Sequence, residues 1–316
     1  MDFSIKDIKS KIPNEALNDL EASFPPHIVR GIYEAMRRKR IPSFRINPLK
    51  GDRTAIVTQL KKESLKFKDV PGLPYAFQIE GKEKDLQGTS CYRDGQLYLQ
   101  GLSGMLSPIV LAPKPGDHVL DMAAAPGSKS TMLAALMENS GILDLIEPDF
   151  IRMERLKHNC NILGANNVRF HQTRAEKFRA DESEIYHAIL ADVPCSGEGR
   201  FNLFDPPSYL SWRSKEIAKF AKLQKKILSN GLRLLKEGGR MLYSTCTLNR
   251  EENENVILQL LEEYPGQISC LEINHNEFKF PELIKLHEGK LRALRIIPSE
   301  RFEGFFLCLL QKKKMS

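Results

Sequence analysis

From residue 115 onward the chain alternates short apolar runs with longer segments of helical periodicity. Val119 and Leu120, led in by Pro115, Gly116 and Asp117, form the first run, the pattern of a strand buried on both faces. The run breaks at Pro126-Gly127 and gives way to a helical segment over 130–137, rich in Ala, Leu and Met. Residues 91–111 lead into this unit through Tyr98, Leu99 and Leu102. The same reading predicts strands at 141–147, 167–170, 186–191, 240–244, 267–273 and 303–310, with helices at 149–163, 217–235 and 251–264. Strands alternating with helices predict an α/β fold whose sheet is doubly wound and mostly parallel.

The first part of the chain carries a different pattern. Ile5, Ile8, Ile12, Leu17 and Leu20 mark one apolar helical face within 1–24, and Pro25-Pro26 ends it. A second helix over 28–40 closes in Arg37-Arg38-Lys39-Arg40. This run reads equally as a solvated helix end, where cations are favoured, or as an RNA phosphate contact. A strand at 42–47, a helix at 54–62 and a strand at 75–80 complete a small α+β domain, residues 1–88. Its polar stretch 80–88 serves as a linker to a second domain, 89–316.

The 316 residues allow two domains, and 41% hydrophobic content is enough for a core. Net charge is +7, and residues 1–88 hold 17 Lys and Arg against 12 Asp and Glu, so the excess is concentrated early. That balance favours an acidic partner, with nucleic acid the default. Six cysteines are scattered without any C-x-x-C pair, which argues against a zinc knuckle, and no metal is expected. No apolar leader or membrane span is visible, so the expectation is a cytoplasmic monomer with reduced thiols.

The stretch V-L-D-M-A-A-A-P-G-S-K-S at 119–130 is strand, tight turn and helix start, the opening unit of a nucleotide-binding sheet. It is not a P-loop, because Ser128 separates Gly127 from Lys129, and it is not G-x-G-x-x-G. Ala123, Ala124, Ala125, Pro126, Gly127, Ser128 and Lys129 form a small-residue turn after an acidic strand end. Such a turn suits a ligand without phosphates, such as S-adenosylmethionine. Glu147, ending the second strand, is placed to bind ribose hydroxyls, with an ordinary surface carboxylate before Pro148 as the plainer reading.

Cys195 and Cys246 fall at the carboxyl ends of successive central strands, where open α/β sheets bind ligands. Cys160, Cys270 and Cys308 read as small apolar side chains. A thiolate beside a methyl donor has a use on cytosine, whose carbon 5 is a poor nucleophile. Adding a thiolate to carbon 6 makes carbon 5 nucleophilic, and removing the carbon-5 proton afterwards expels the thiol. Asp192 is placed to contact the ring nitrogen and exocyclic amine, a second thiol to act as base, and Lys129 to add electrostatic help.

The chain resembles the Fmu/Sun-type RNA (cytosine-5) methyltransferases. The resemblance rests on D-M-A-A-A-P-G-S-K at 121–129, D-V-P-C-S-G-E-G at 192–199, and Y-S-T-C-T at 243–247 followed by E-E-N-E at 251–254. The lead-in at 98–108 and G-F-F-L at 304–307 also fit, so the match covers roughly residues 90–312. It implies a Rossmann-like class I methyltransferase domain, with Cys246 as nucleophile and Cys195 as the releasing cysteine. Ala123 to Lys129, Glu147 and Asp192 then line the S-adenosylmethionine and base crevice. DNA cytosine methyltransferases instead use the Cys of a Pro-Cys pair as nucleophile, so Cys246 favours RNA. One position departs from the family: Arg174 stands where an acid usually contacts the cofactor's adenine. Either Gln172, Thr173 or a backbone group then substitutes, or cofactor affinity is reduced. Ribosomal RNA is favoured over transfer RNA, with RNA choice resting on residues 1–88 and on a basic and aromatic loop at 200–213, in which Trp212 reads equally as core. A non-catalytic RNA-binding protein on the same scaffold, and a DNA cytosine-5 methyltransferase, are the competing readings.

Overall fold

The computed structural model describes residues 3–180, 186–274, 278 and 280–314. Pro13 cannot continue an inner helical turn, so the face expected over 1–24 is split into α1 (Ile5–Lys11) and α2 (Asn14–Ser23). Ser4 and Asp7 cap α1 reciprocally. α3 (Pro26–Met36) starts on a proline and buries Val29, Ile32, Tyr33 and Met36. An antiparallel sheet follows, built from β1 (Ser43–Ile46), β2 (Phe67–Asp69), β3 (Ala76–Ile79) and β4 (Leu97–Leu99) in the order β2-β3-β1-β4. α4 (Arg53–Lys62), capped by Asp52, buries Ile56 and Leu60 in the same apolar cluster as Phe44 and Phe77. The stretch expected as a linker, 80–88, contains α5 (Glu83–Gln87). α6 (Ser90–Arg93) follows it, and the sheet draws its fourth strand from beyond residue 88.

The second sheet is preceded by α7 (Leu102–Leu111). It opens with β5 (His118–Asp121), α8 (Ser128–Leu136), β6 (Ile142–Ile146), α9 (Phe150–Leu163) and β7 (Val168–His171). It continues with β8 (Tyr186–Asp192), the short α10 (Pro207–Leu210), the long α11 (Ser214–Leu234), β9 (Leu235–Thr245) and α12 (Glu254–Glu263). It ends with β10 (Ile268–Leu271), β11 (Leu283–Glu288), β12 (Leu291–Ile296) and β13 (Phe305–Lys312). The order is β11-β12-β13-β9-β8-β5-β6-β7, with β10 on the second half of β13. β7, β6, β5, β8 and β9 are parallel; β10 to β13 are antiparallel. The hairpin β11–β12, turning at Gly289, falls where the sequence reading placed no element. β9 starts earlier than expected because a register shift opposite Tyr186 and Ala188 absorbs the Gly238-Gly239 turn.

Successive strand residues enter opposite cores. Val119, Ala188 and Leu242 pack with Leu106 and Leu133 on one face, whereas Leu120, Ile189 and Met241 pack with Ile227 and Ile257 on the other. A third cluster joins α1–α3 to Phe201, Tyr209, Trp212, Leu248 and Ile297, so the N-terminal helices brace the loops at the strand ends. No helix among the described residues is long and apolar enough to cross a membrane.

Candidate active site

The strand register brings the chemistry together. Asp192 pairs with Ser244 across β8 and β9, so the chain just beyond each residue, carrying Cys195 and Cys246, leaves the sheet side by side. The two Sγ atoms are 3.3 Å apart and half-buried. The Cys195 thiol is pushed well above its ordinary range by the hydrogen bond with Cys246, by burial, and by the negative charge of its neighbours. Asp192 accepts from Ser244 Oγ at 2.7 Å and from Lys129 Nζ at 2.7 Å. Burial alone would lower the Lys129 ammonium, but the Asp192 charge and hydrogen bond outweigh it and hold the ammonium above its usual value. Lys129 Nζ also lies over the Phe305 ring, 5.8 Å from its centre.

These groups share one cavity of about 670 Å³ with Ala123, Ala125, Pro126 and Glu147. Of the positions expected to hold a cofactor, Ala124, Gly127 and Ser128 do not line it. Ala124 is in the core. Gly127, at φ +106°, is where an added Cβ would come 3.1 Å from Leu156, and the Ser128 carbonyl accepts from Arg45. The turn hangs on Asp121, which takes the Ser130 hydroxyl at 2.7 Å and the Ala123 N–H at 3.3 Å and which burial pushes up to about 6. Glu147 is buried, with the Asp149 N–H at 2.9 Å and Arg152 at 3.4 Å.

Beyond Glu147, Arg174 lines the cavity as an exposed side chain, and Glu176 lines it two residues later, on the turn Ala175–Lys177. The expected substitutes Gln172 and Thr173 do not line it, and Glu176 supplies a carboxylate that sequence reasoning missed. The loop at 200–213 differs in part from expectation. Phe201, Tyr209 and Trp212 are buried against α1–α3, so they are core rather than a stacking platform, whereas Phe204 lies edge-on to Phe3 and stays exposed; Arg200 alone of that group reaches the cavity. The basic run is mostly engaged within the fold. Arg37 pairs with Glu34, and Arg38 lies 3.7 Å from Glu300. Arg40 donates to the carbonyls of Phe302 and Gly199.

Two glycines explain how the loops close over the thiols. Gly199 N–H donates to the Cys246 carbonyl at 3.0 Å, and Gly304 N–H to the Gly199 carbonyl at 2.8 Å. A Cβ on Gly199 would sit 2.3 Å from the Gly304 oxygen. Glu198, Glu252 and Gln224, also missed by sequence reasoning, surround the same loops. The first two lie inside the 192–199 and 251–254 motifs, which was their only signal.

Fold and site together define a Rossmann-like class I methyltransferase. A family model described as 16S rRNA methyltransferase RsmB/F matches residues 108–311, and the chain belongs to that family. It is 34% identical over 304 residues to the ribosomal RNA small subunit methyltransferase F of Shewanella loihica (94% of this chain, 62% of the relative). To the protein of the same name from Cronobacter sakazakii it is 33% identical over 310 residues (95% and 63%). The chain thus spans less than two thirds of the length of these curated relatives. Among solved structures, a methyltransferase homologue from Pyrococcus horikoshii is 29% identical, with TM-score 0.77 over 95% of this chain and 100% of that one. NSun6 from Pyrococcus horikoshii, solved with SFG, shares the fold at TM-score 0.81 and 23% identity, over 96% of this chain and 99% of that one.

Proposed function

We propose that this chain methylates carbon 5 of a cytosine in RNA, ribosomal RNA before transfer RNA, through a covalent cysteine–cytosine adduct. The observation that carries the reading is the pair of thiols 3.3 Å apart in the same cavity as the Lys129–Asp192 ion pair.

The residues present fit S-adenosylmethionine. The cavity volume, about 670 Å³, falls in the range of nucleoside pockets. Glu147 offers a buried carboxylate for a ribose diol, Met122, Val193 and Ile227 offer apolar walls, and Glu176 offers the acceptor for an adenine amine that Arg174 cannot be. The chemistry such a group supplies when bound is an electrophilic methyl on a sulfonium.

The rest belongs to this chain. Cys246 as thiolate adds to carbon 6 of the ring, and the electron pair displaced makes carbon 5 nucleophilic. Asp192, held by Lys129 and Ser244, accepts from the exocyclic amine and orients the ring, and the Lys129 ammonium offsets the negative charge that the addition puts on it. With Cys246 bound as a neutral thioether, its charge and hydrogen bond no longer hold the Cys195 proton; Cys195 gives that proton to solvent and, once carbon 5 carries the methyl group, takes the carbon-5 proton as a thiolate. The C–H electron pair forms the ring double bond, the carbon 6–sulfur bond breaks, and Cys246 leaves as thiolate. A cytosine in folded RNA reaches this depth only when flipped or unpaired, and Arg200 at the cavity edge is placed to hold a flanking phosphate. Residues 1–88 are the proposed RNA-binding part.

Expressing Cys195→Ala and Cys246→Ala in cells tests the assignment. Cys195→Ala should accumulate a ribonuclease-sensitive protein–RNA adduct on denaturing gels, and Cys246→Ala should give neither adduct nor 5-methylcytosine. An adduct in Cys246→Ala reverses the two roles. No adduct in either, with no cofactor binding by calorimetry, selects the non-catalytic reading.

A further inference from the structure

Behind the two thiols lies a layer of side chains that the chemistry above does not use. The Glu252 carboxylate takes the Ser196 main-chain N–H at 3.1 Å and touches the Ser196 hydroxyl. Gln224 donates from Nε2 to the Glu252 carboxylate at 2.8 Å and to the Pro194 carbonyl at 2.9 Å. Both neighbours of Cys195 are therefore tied, directly or through one amide, to Glu252. Glu198 does the same for the other thiol: it accepts from the hydroxyl of Thr247, next to Cys246, and from Trp212 Nε1 at 2.8 Å. Asn253 completes the loop, taking the Thr245 hydroxyl at 2.6 Å and donating to the Thr247 carbonyl at 3.1 Å. Glu252, Gln224, Thr247 and Asn253 are all fully buried.

Counting hydrogens assigns the charge. Ser196 Oγ lies 2.7 Å from Glu198 and also in contact with Glu252, yet it has one hydroxyl hydrogen. The Thr247 hydrogen is committed to Glu198. Two ionised carboxylates on one hydroxyl would leave two oxygens facing each other with no hydrogen between them. A hydrogen on one of the two acids completes the chain, and the deeply buried Glu252, whose carboxyl is raised, is the one that holds it, donating to Ser196, which donates to Glu198. Among the described residues no Lys, Arg or His forms an ion pair with either acid. Burial, reinforced by the Glu198 charge, pushes Glu252 up to about 7. The other titratable groups facing it are Cys195 and Tyr243 of β9; Glu254, two residues on at the start of α12, is paired with Arg295 of β12 at 2.9 Å.

We propose that Glu252, kept as a neutral carboxylic acid, is the positioning residue that sets the Cys195 loop for the release step. Its ionisation places a second negative charge beside Glu198, breaks the Ser196 bridge, and opposes the ionisation of Cys195 when that thiol must take a proton. The proposal rests on the two-cysteine reading of the site.

Two measurements on wild type, E252A and E252Q test it. The first is kcat and KM on a 16S rRNA transcript from about pH 5.5 to about pH 9. E252A should lower kcat about 100-fold with little change in KM for RNA. E252Q, whose amide can donate to Ser196 Oγ and accept from its N–H, should recover at least about tenfold of that and lose the wild-type fall of kcat above about pH 7. The second reads the loop without RNA: the rate of Cys195 alkylation by iodoacetamide, followed by mass spectrometry. It should rise about tenfold in E252A and far less in E252Q. Equal alkylation in all three proteins overturns the proposal, as does an alkaline fall in E252Q matching wild type. Where E252A does not fold, E252Q alone decides. Loop-dependent alkylation together with a wild type that makes no 5-methylcytosine sustains the positioning role and overturns the cytosine reading instead.

Discussion

One buried carboxylate cluster sits on β6 of the large sheet and another in the loops beyond β8 and β9, and the two meet opposite kinds of partner. At β6, Asp144 is fully buried and meets Arg169 at 2.7 Å, His118 at 2.7 Å, His171 at 2.6 Å and the Tyr186 hydroxyl at 3.0 Å. Burial raises its carboxyl, but the hydrogen bonds from His118, Arg169 and His171 and the Arg169 charge outweigh it and hold it far below the usual range. Behind the cysteines, Glu252 and Glu198 are as deeply buried but meet only hydroxyl, amide and indole groups, with Ser196 between them, and Glu252 rises to about 7. Burial alone therefore does not decide the charge of an acid; the sign of its partners does. The cationic cluster locks an edge of the fold at all ordinary pH values. The cation-free one can change state near neutrality, and it stands next to the loops that carry Cys195 and Cys246.

The sharpest way to break that contrast is Asp144→Ala. It strands Arg169 and removes the shared acceptor of two histidines, and should cost ~3–5 kcal/mol in urea denaturation. A loss under about 1 kcal/mol would mean that the cluster is solvated in solution.

The pH dependence comes next. Asp144 is depressed, so its contribution is present above its unfolded pKa and is lost only in strong acid, as pH falls through the folded value. Glu252 is raised from 4.5 to about 7, so its contribution is present below 4.5 and is lost as pH rises through about 7. Over that window wild type should lose about 2–3 kcal/mol relative to E252Q, read as a pH-dependent gap in Tm. Parallel curves would show Glu252 ionised throughout.

The smallest effect is expected from Trp212→Phe. It keeps an aromatic ring in the cluster with Phe201 but removes a donor to Glu198. A cost of about 1 kcal/mol in denaturant is expected.

Much of the scaffold was legible because its signals are local. The apolar runs of β5, β6 and β8, the turn residues 123–127 and the periodicity of α9 and α11 each lie within a few residues of sequence. The hairpin β11–β12 was missed although Gly289 marks its turn, because neither strand alternates cleanly: β11 is half-exposed and β12 nearly all buried. The aromatic loop was ambiguous for the opposite reason. Interleaved Arg, Phe, Tyr and Trp suit RNA stacking and core packing alike, and what buried Trp212 was a helix bundle far back in the chain.

By itself the sequence determined the α/β scaffold and the turn that shapes the cavity, and it singled out the two cysteines, Asp192 and Lys129 as the candidate reactive set. The tertiary structure decided which of them meet, at what distance, and in what charge state. Ser196 and Glu252, Arg40 and Phe302, and Gly199 and Gly304 are remote in sequence and touch only after the sheet has formed. The physical reason is range. Periodicity and turn chemistry act between near neighbours, whereas the electrostatics of a buried acid are set by whatever groups the fold brings within a few ångströms.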